Sequence, residues 1–100
     1  MVYCGLARRA GKISFGAESS KETIEKKKAK LVIIAKDASD RTKSNFENLC
    51  KSLNVKFRIM GSIEDLSKSI GQTNKAIIVV KDENFAKEII KRIDGGEIIG

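Results

Sequence analysis

The sequence predicts an α/β protein, a three-layer α/β/α sandwich with helices on both faces of a four-stranded sheet. Two apolar runs, 31–35 and 76–80, are five residues long and rich in Val and Ile, which is typical of strands covered on both faces. Apolar residues at helical spacing precede, separate and follow these runs, and such alternation indicates a sheet between two helical layers. With 100 residues and 41% apolar content, the chain is expected to form one domain over residues 1–100.

The N-terminal part of the chain predicts a helix, a short strand and a second helix. Apolar residues recur at helical spacing over 2–10, and an extended segment follows at 13–15. Residues 16–28 are strong helix formers, yet the only clear apolar contacts of this helix are Ala17 and Ile24. We therefore expect one face of the second helix to be exposed to water or bound to a partner.

The remaining elements follow from their own patterns. Apolar and polar residues alternate over 55–60, which predicts a strand at a sheet edge or with one solvated face. Three further segments have apolar residues at helical spacing: 46–53, 63–70 and 85–93. Ser62 and Asp65 are placed as a capping box for the second of these, and Asp82 precedes the third, which Asp94 and two glycines end. We expect the order α-β-α-β-α-β-α-β-α, followed by a loose C-terminal tail.

The positive charge of the chain is concentrated in its first half. Residues 1–45 contain eleven Lys or Arg and five Asp or Glu, whereas residues 46–100 contain nine and eight, for a net charge of +7. Clustered Lys and Arg favour a polyanionic partner, because they displace counterions from its phosphates. Nucleic acid is the first candidate partner.

The residues for catalysis are largely missing. The sequence has no His, which removes the commonest general base and zinc ligand, and Cys4 and Cys50 lie far apart in the chain. Asp37, Asp40 and Asp82 follow predicted strands and are candidate ligands for Mg²⁺, but aspartates at such positions more often cap helices and turns. We expect a protein that is not an enzyme and holds no metal or cofactor.

The sequence also predicts a cytoplasmic protein without a membrane partner. No apolar run approaches the roughly 18–20 residues of a membrane span. At the N-terminus, Arg8, Arg9 and Lys12 interrupt the apolar stretch that a signal peptide needs. We therefore expect both cysteines to be reduced, with Cys50 in the core.

Several segments resemble the kink-turn-binding ribosomal-protein family, the superfamily of large-subunit protein seven-Ae. The similarity is carried by the run GLARRAGK at 5–12, by Gly16 and by the run AKLVIIAKDAS at 29–39, and it continues through the strand at 76–80. It covers almost the full length, and the chain is most similar to the short bacterial members. The resemblance implies an α/β/α sandwich with a mixed sheet, and RNA binding without catalysis.

In this family the RNA-reading motif lies at the start of the second helix, behind a glycine that corresponds to Gly16. A helix N-terminus presents free N–H groups and positive dipole to phosphates, and glycine lets the backbone approach closely. The Asn-Glu pair of the archaeal proteins falls on Glu18 and Ser19, and the lysine one turn later falls on Glu22, beside Lys21. These residue types depart from the family pattern, so we expect a weaker kink-turn reader.

The other family contacts lie in two loops, 36–39 after the first long strand and 71–74 before the last strand. Four basic residues are expected to neutralise RNA phosphates: Lys12, Lys21, Lys36 and Arg41. Four polar residues are expected to hydrogen-bond to base edges or sugars: Glu18, Ser19, Thr73 and Asn74. Gly16, Glu22 and Asp37 complete the predicted RNA-binding set.

The predicted partner is structured RNA, with ribosomal RNA as the first candidate and ribosomal proteins as further ones. Two other interpretations stay open: an assembly module of a ribosomal or transcription complex, and a fragment of an RNA-modifying enzyme. Individual residues also have simpler roles. Glu18 would complement a helix dipole, 26–28 would be a solvated helix end, and Asn74 would hold a turn.

Overall fold

The computed structural model describes residues 8–94, in which four strands alternate with four helices. In chain order these elements are β1 (Ile13–Phe15), α1 (Ala17–Glu25), β2 (Leu31–Ile34), α2 (Asp40–Ser52), β3 (Phe57–Ile59), α3 (Ile63–Ser69), β4 (Ile77–Val80) and α4 (Glu83–Asp94). The helix predicted over 2–10 falls mostly outside the described residues, although Arg8 and Arg9 are helical. Cys4 and the predicted C-terminal tail also lie outside them.

The sheet is mixed, as the family resemblance implied. Its strand order is β1-β4-β2-β3. β4 pairs antiparallel with both β1 and β2, while β3 pairs parallel with β2. The two apolar runs therefore form the middle strands, and the alternating segment forms an edge strand, both as the sequence predicts.

The middle strands are buried on both faces. All four residues of β2 and all four of β4 are at most 1% exposed. Because successive side chains of a strand point to opposite faces, this burial requires a helical layer on each side of the sheet. Helix α1 contacts β1, β4 and α2, and α4 packs on β4. The fold is thus an α/β/α sandwich, and Cys50 lies in its core.

Polar side chains fix the helix starts. The Ser62 hydroxyl accepts a hydrogen bond from the Asp65 N–H (3.0 Å), and the Asp82 carboxylate accepts one from the Phe85 N–H (2.9 Å), so both predicted caps are confirmed. Asp37 accepts from the Ile63 N–H at 2.8 Å and thereby ties the loop after β2 to the start of α3. Within residues 8–94, no cluster of three acidic or cysteine side chains is arranged to hold a metal ion.

Helix α1 differs from its prediction in its buried face. Ala17 is exposed, whereas Ser20, Thr23 and Ile24 are buried. Positions 20, 23 and 24 form one stripe of a helix, and this stripe lies against the sheet. Thr23 is tolerated there because its hydroxyl donates to the Ser19 carbonyl and pairs with the Ser14 hydroxyl, both at 2.8 Å. The hydrogen-bonded Thr23 and Ser20, whose buried hydroxyl has no hydrogen-bond partner among the described residues, thus replace the apolar contact expected at Ala17.

Helix α1 also ends three residues earlier than predicted. Lys27 has a positive φ of 60°, which stops the helix. The Lys27 N–H donates to the Ile24 carbonyl and the Lys28 N–H to the Thr23 carbonyl, at 3.0 and 3.1 Å. This pair of bonds is the Schellman motif, in which glycine usually occupies the position that Lys27 takes here.

Candidate nucleic-acid interface

The start of α1 presents unused backbone donors. The first helical hydrogen bond runs from the Ser20 N–H to the Gly16 carbonyl (3.1 Å), so the N–H groups of residues 17–19 have no acceptor within the helix. No side chain caps this end of α1. Residues 17–19 are also exposed. The donors and the positive end of the helix dipole are therefore available to an anion.

Gly16 is required by the backbone conformation at this point. Its φ of 85° and ψ of 163° fall in a region that is essentially restricted to glycine. Its N–H donates to the Ile77 carbonyl at 3.1 Å, which fastens the helix start to β4. Gly16 therefore has a conformational role in addition to the close approach that the family resemblance implies.

Two cations outside the predicted RNA-binding set, Arg8 and Lys75, flank the helix start. The side chain of Lys75 lies next to Gly16, with Cδ and Nζ 4.0 Å from the place where a Cβ would be. Lys75 Nζ is 5.8 Å and Arg8 Cζ is 5.1 Å from the centre of the Phe15 ring. These distances place both cations over the aromatic ring, an attractive arrangement. Ser67 anchors Lys75, since its hydroxyl accepts from the Lys75 N–H at 2.7 Å.

The sheet brings the two predicted loops to the same end as the helix start. Phe15 pairs with Ile78, and Ile34 pairs with Ile77, so the end of β1, the end of β2 and the start of β4 are neighbours. Loop 36–39 leaves from this end and loop 71–74 leads into it. We name this end of the sheet, with Gly16 and the two loops, the helix-start surface.

Within these loops, Lys36, Asp37, Thr73 and Asn74 are exposed. The Lys36 backbone is held on both sides: its N–H donates to the Gly61 carbonyl at 2.8 Å, and its carbonyl accepts from Lys43 Nζ at 2.9 Å. Asn74 has a left-handed φ of 54°, a conformation that asparagine tolerates well, so it shapes the turn as well as exposing its amide. The Lys36 ammonium and the Thr73 hydroxyl remain exposed on a fixed backbone.

The structure separates Lys12 from the rest of the predicted set. Ile13 pairs with Val80, and the Lys12 carbonyl accepts from the Lys81 N–H at 2.7 Å. Lys12 therefore lies at the opposite end of the sheet from Gly16. Its neighbours are Lys81 and Lys30, whose N–H donates to the Val80 carbonyl at 2.8 Å.

The predicted residues of α1 lie on two different flanks of the helix. Glu18 and Lys21 line a groove of about 510 Å³ between α1 and α2, together with Thr42 and Asn45. Ser19 and Glu22 instead line a cavity on the β1 side of the helix. This division follows from helical spacing, because residues three apart share a flank and adjacent residues do not.

Glu22 is paired within its own helix. Its carboxylate accepts a hydrogen bond from Lys26 Nζ at 2.6 Å, one turn later, and this bond lowers the pKa of Glu22 below its usual value. Arg41 is exposed in the first turn of α2, where the Ser39 hydroxyl accepts from the Thr42 N–H at 3.1 Å. Glu22 therefore presents a carboxylate, not the ammonium of the family pattern, although Lys26 partly neutralises it.

The cavity on the β1 side of α1 has a volume of about 240 Å³. We name it the lysine cavity. Besides Ser19, its lining consists of Ser14, Glu22, Thr23, Lys26, Lys28 and Lys81. Its basic residues are far apart in the sequence. The sequence patterns predicted only that 26–28 would be a solvated helix end.

No helix among residues 8–94 is long and apolar enough to cross a membrane.

The fold and the helix-start surface together define a class of protein: an α/β/α sandwich with a mixed sheet, an open helix N-terminus behind a glycine, and cations around it. Free N–H groups and nearby cations are features that suit a surface to anions.

Sequence comparison gives the family. The profile of the ribosomal protein L7Ae/L30e/S12e/Gadd45 family matches residues 3–91, and the chain belongs to this family. The family and the relatives that match are binding proteins without enzymatic activity. The family resemblance and the absence of an enzymatic function expected from the sequence are thereby confirmed.

Two relatives are named RNA-binding protein YlxQ. The chain is 32% identical to that of Bacillus subtilis (strain 168) over 90 residues, which cover 90% of each chain. It is 35% identical to that of Enterococcus faecium over 95 residues, which cover 95% of this chain and 91% of the relative. These matches extend over nearly the whole of both proteins.

Solved structures share the fold. A Bacillus halodurans C protein of unknown function superposes with a TM-score of 0.89 at 29% identity, covering 93% of this chain and 94% of the other. The Giardia lamblia 15.5kD RNA binding protein superposes with a TM-score of 0.78 at 21% identity, covering 93% and 82%. The sandwich predicted from the sequence is confirmed by these superpositions.

Proposed function

We propose that the protein binds structured RNA through the helix-start surface and has no catalytic role. The observation that carries this proposal is the uncapped start of α1, which lies beside Lys75 and at the same end of the sheet as the two loops. The names of the bacterial relatives support it, as both are called RNA-binding proteins. The net charge of +7 also favours a polyanionic partner such as RNA.

In the proposed complex, an RNA phosphate lies against the N–H groups of residues 17–19, where the helix dipole stabilises its charge. Lys36 and Lys75 neutralise neighbouring phosphates. These contacts position the RNA without reading its sequence. Thr73 and Asn74 on one loop hydrogen-bond to base edges or 2′-hydroxyl groups, which distinguish RNA from DNA.

We further propose that the protein prefers a kinked RNA to a plain duplex, though less strongly than relatives with the full family motif. Three segments that are separate in the sequence and neighbours in space form the helix-start surface. A bent RNA backbone contacts all three more easily than a straight one. Glu18 and Glu22 oppose this binding, because their carboxylates repel approaching phosphates. Ribosomal RNA is the first candidate target, and ribosomal proteins are candidate neighbours in the same particle. A cytoplasmic location and a single domain over residues 1–100 stay predictions.

The proposal is tested by titrating the protein with three RNAs of equal length: a kink-turn, a plain duplex and a single strand. Each titration is repeated at several salt concentrations. We expect the kink-turn to bind most tightly at every salt concentration, and all three affinities to fall as salt rises. Equal affinities for the three RNAs would refute readout of RNA structure. An undetectable affinity for all of them would favour the assembly module without RNA binding.

A further inference from the structure

The lysine cavity lies at the other end of α1 from the helix start. Its cations come from two separate parts of the chain: Lys26 and Lys28 lie just after α1, and Lys81 lies just after β4. The hydroxyls of Ser14 and Thr23 line it as well. Its lining contains no aromatic residue.

Two of the three lysines that line the cavity are available to bind a ligand. Lys26 is paired with Glu22, with 2.6 Å between Nζ and the carboxylate oxygen. Among residues 8–94, no carboxylate lies within ion-pair distance of Lys28 or Lys81. Lys28 and Lys81 are thus the lining cations outside a direct ion pair, although the Glu22 carboxylate, which also lines the cavity, interacts with Lys28 at longer range.

The backbone holds these lysines in place. The Lys28 N–H donates to the Thr23 carbonyl at 3.1 Å, and the Lys81 N–H donates to the Lys12 carbonyl at 2.7 Å. The hydroxyl chain is also ordered: Thr23 donates its only proton to the Ser19 carbonyl, so Ser14 donates to Thr23. Because both hydroxyl protons are engaged, the donors that remain from these residues are the ammonium groups of Lys28 and Lys81.

The turn that places Lys28 is strained. Lys27 adopts a φ of 60°, where glycine is the usual residue. Lysines at a helix C-terminus also interact favourably with the helix dipole, which is the simpler explanation of 26–28. That explanation does not account for Lys81, which approaches the same cavity from the sheet.

We propose that the lysine cavity binds a backbone phosphate of the same structured RNA, as a second contact of the helix-start complex. This inference rests on the proposed function. The ligand is a phosphodiester and not a base, because the lysines offer ammonium donors and the lining has no aromatic ring on which a base would stack. The nine residues of α1 span about 13 Å, a distance that a few nucleotides of RNA bridge.

A pair of matched variants tests the cavity. Lys28→Gln with Lys81→Gln removes the two unpaired charges and leaves the Glu22–Lys26 pair intact. Lys51→Gln with Lys56→Gln removes the same charge beside β3, the opposite edge strand, where both lysines are exposed. Each variant is titrated with a kink-turn RNA that has two full helical arms. Thermal melting followed by circular dichroism verifies that both variants are folded.

We expect the cavity pair to lower the log–log salt slope by about 0.9, the contribution of one phosphate, and to weaken binding about tenfold at low salt. The β3 pair should change the slope by less than about half a unit. Equal weakening by the two pairs would show a general effect of net charge and overturn the cavity site. No weakening by either pair would overturn it as well.

A third variant separates the cavity from the proposed function. Lys75→Gln should weaken binding at the helix-start surface whether or not the cavity is occupied. If Lys75→Gln weakens binding but the cavity pair acts no differently from the β3 pair, only the cavity is refuted. If the unaltered protein binds none of the RNAs, both the proposed function and the cavity are refuted.

Discussion

Replacing Gly16 by alanine tests how the start of α1 is held. Gly16 has a φ of 85° and a ψ of 163°, where a residue with a side chain is strained. A Cβ would find open space, because the nearest atoms belong to Lys75 at 4.0 Å. The penalty is therefore backbone strain and not a clash. At about 2 kcal/mol, within the range for such conformations, it lowers the melting temperature by about 8–16 °C.

Gly11→Ala is the matched control for this substitution. Gly11 also has a positive φ, 71°, and no atom of the described residues lies within 4 Å of the position its Cβ would take. It lies before β1, at the opposite end of the sheet from the helix start. Alanine there costs about 1–2 kcal/mol through its left-handed conformation. Both variants thus lose stability, but only Gly16→Ala alters the helix-start surface.

Unfolding is followed by circular dichroism, and RNA titrations are made near 10 °C, where both variants are folded. Gly16→Ala should weaken kink-turn binding about tenfold or more, since one charge-assisted hydrogen bond contributes about 1.5–3 kcal/mol. Gly11→Ala should leave the affinity nearly unchanged. Equal losses in the two variants would show that binding follows stability alone. A Gly16→Ala melting temperature equal to that of the unaltered protein would refute the argument from backbone strain.

The triple change Glu18→Asn, Ser19→Glu and Glu22→Lys restores the family motif and raises the local charge by +2. Kink-turn affinity should therefore increase more than duplex affinity. Equal gains on both RNAs would indicate an effect of charge alone. Lys36→Gln should lower the salt slope by about 0.9 for every structured RNA, and an unchanged slope would remove Lys36 from the interface. Burial raises the pKa of the Cys50 thiol to about 11, so the thiol stays protonated at pH 8 and should react with iodoacetamide only on unfolding; rapid alkylation of the native protein, located by mass spectrometry, would contradict its burial.

Local patterns in the sequence predicted most of the elements. The two middle strands were predictable because continuous β-branched runs suit a strand covered on both faces. The starts of α3 and α4 were predictable because Ser62 and Asp82 cap the residues immediately after them. The buried face of α1 was not, because Ser20 and Thr23 are polar and Thr23 becomes compatible with burial only through its bonds to Ser14 and Ser19. That pairing depends on β1 and α1 being packed together.

The composition of the chain by itself favoured an anionic partner, and its short-range patterns predicted which segments are strands and helices. Which charges act together was decided only by the tertiary structure. Pairing of β1 and β2 with the distant β4 places Lys75 beside Gly16, and it carries Lys12 and Lys81 to the other end of the sheet. The physical reason is that strand pairing joins residues more than forty positions apart in the sequence, and no local pattern records their register.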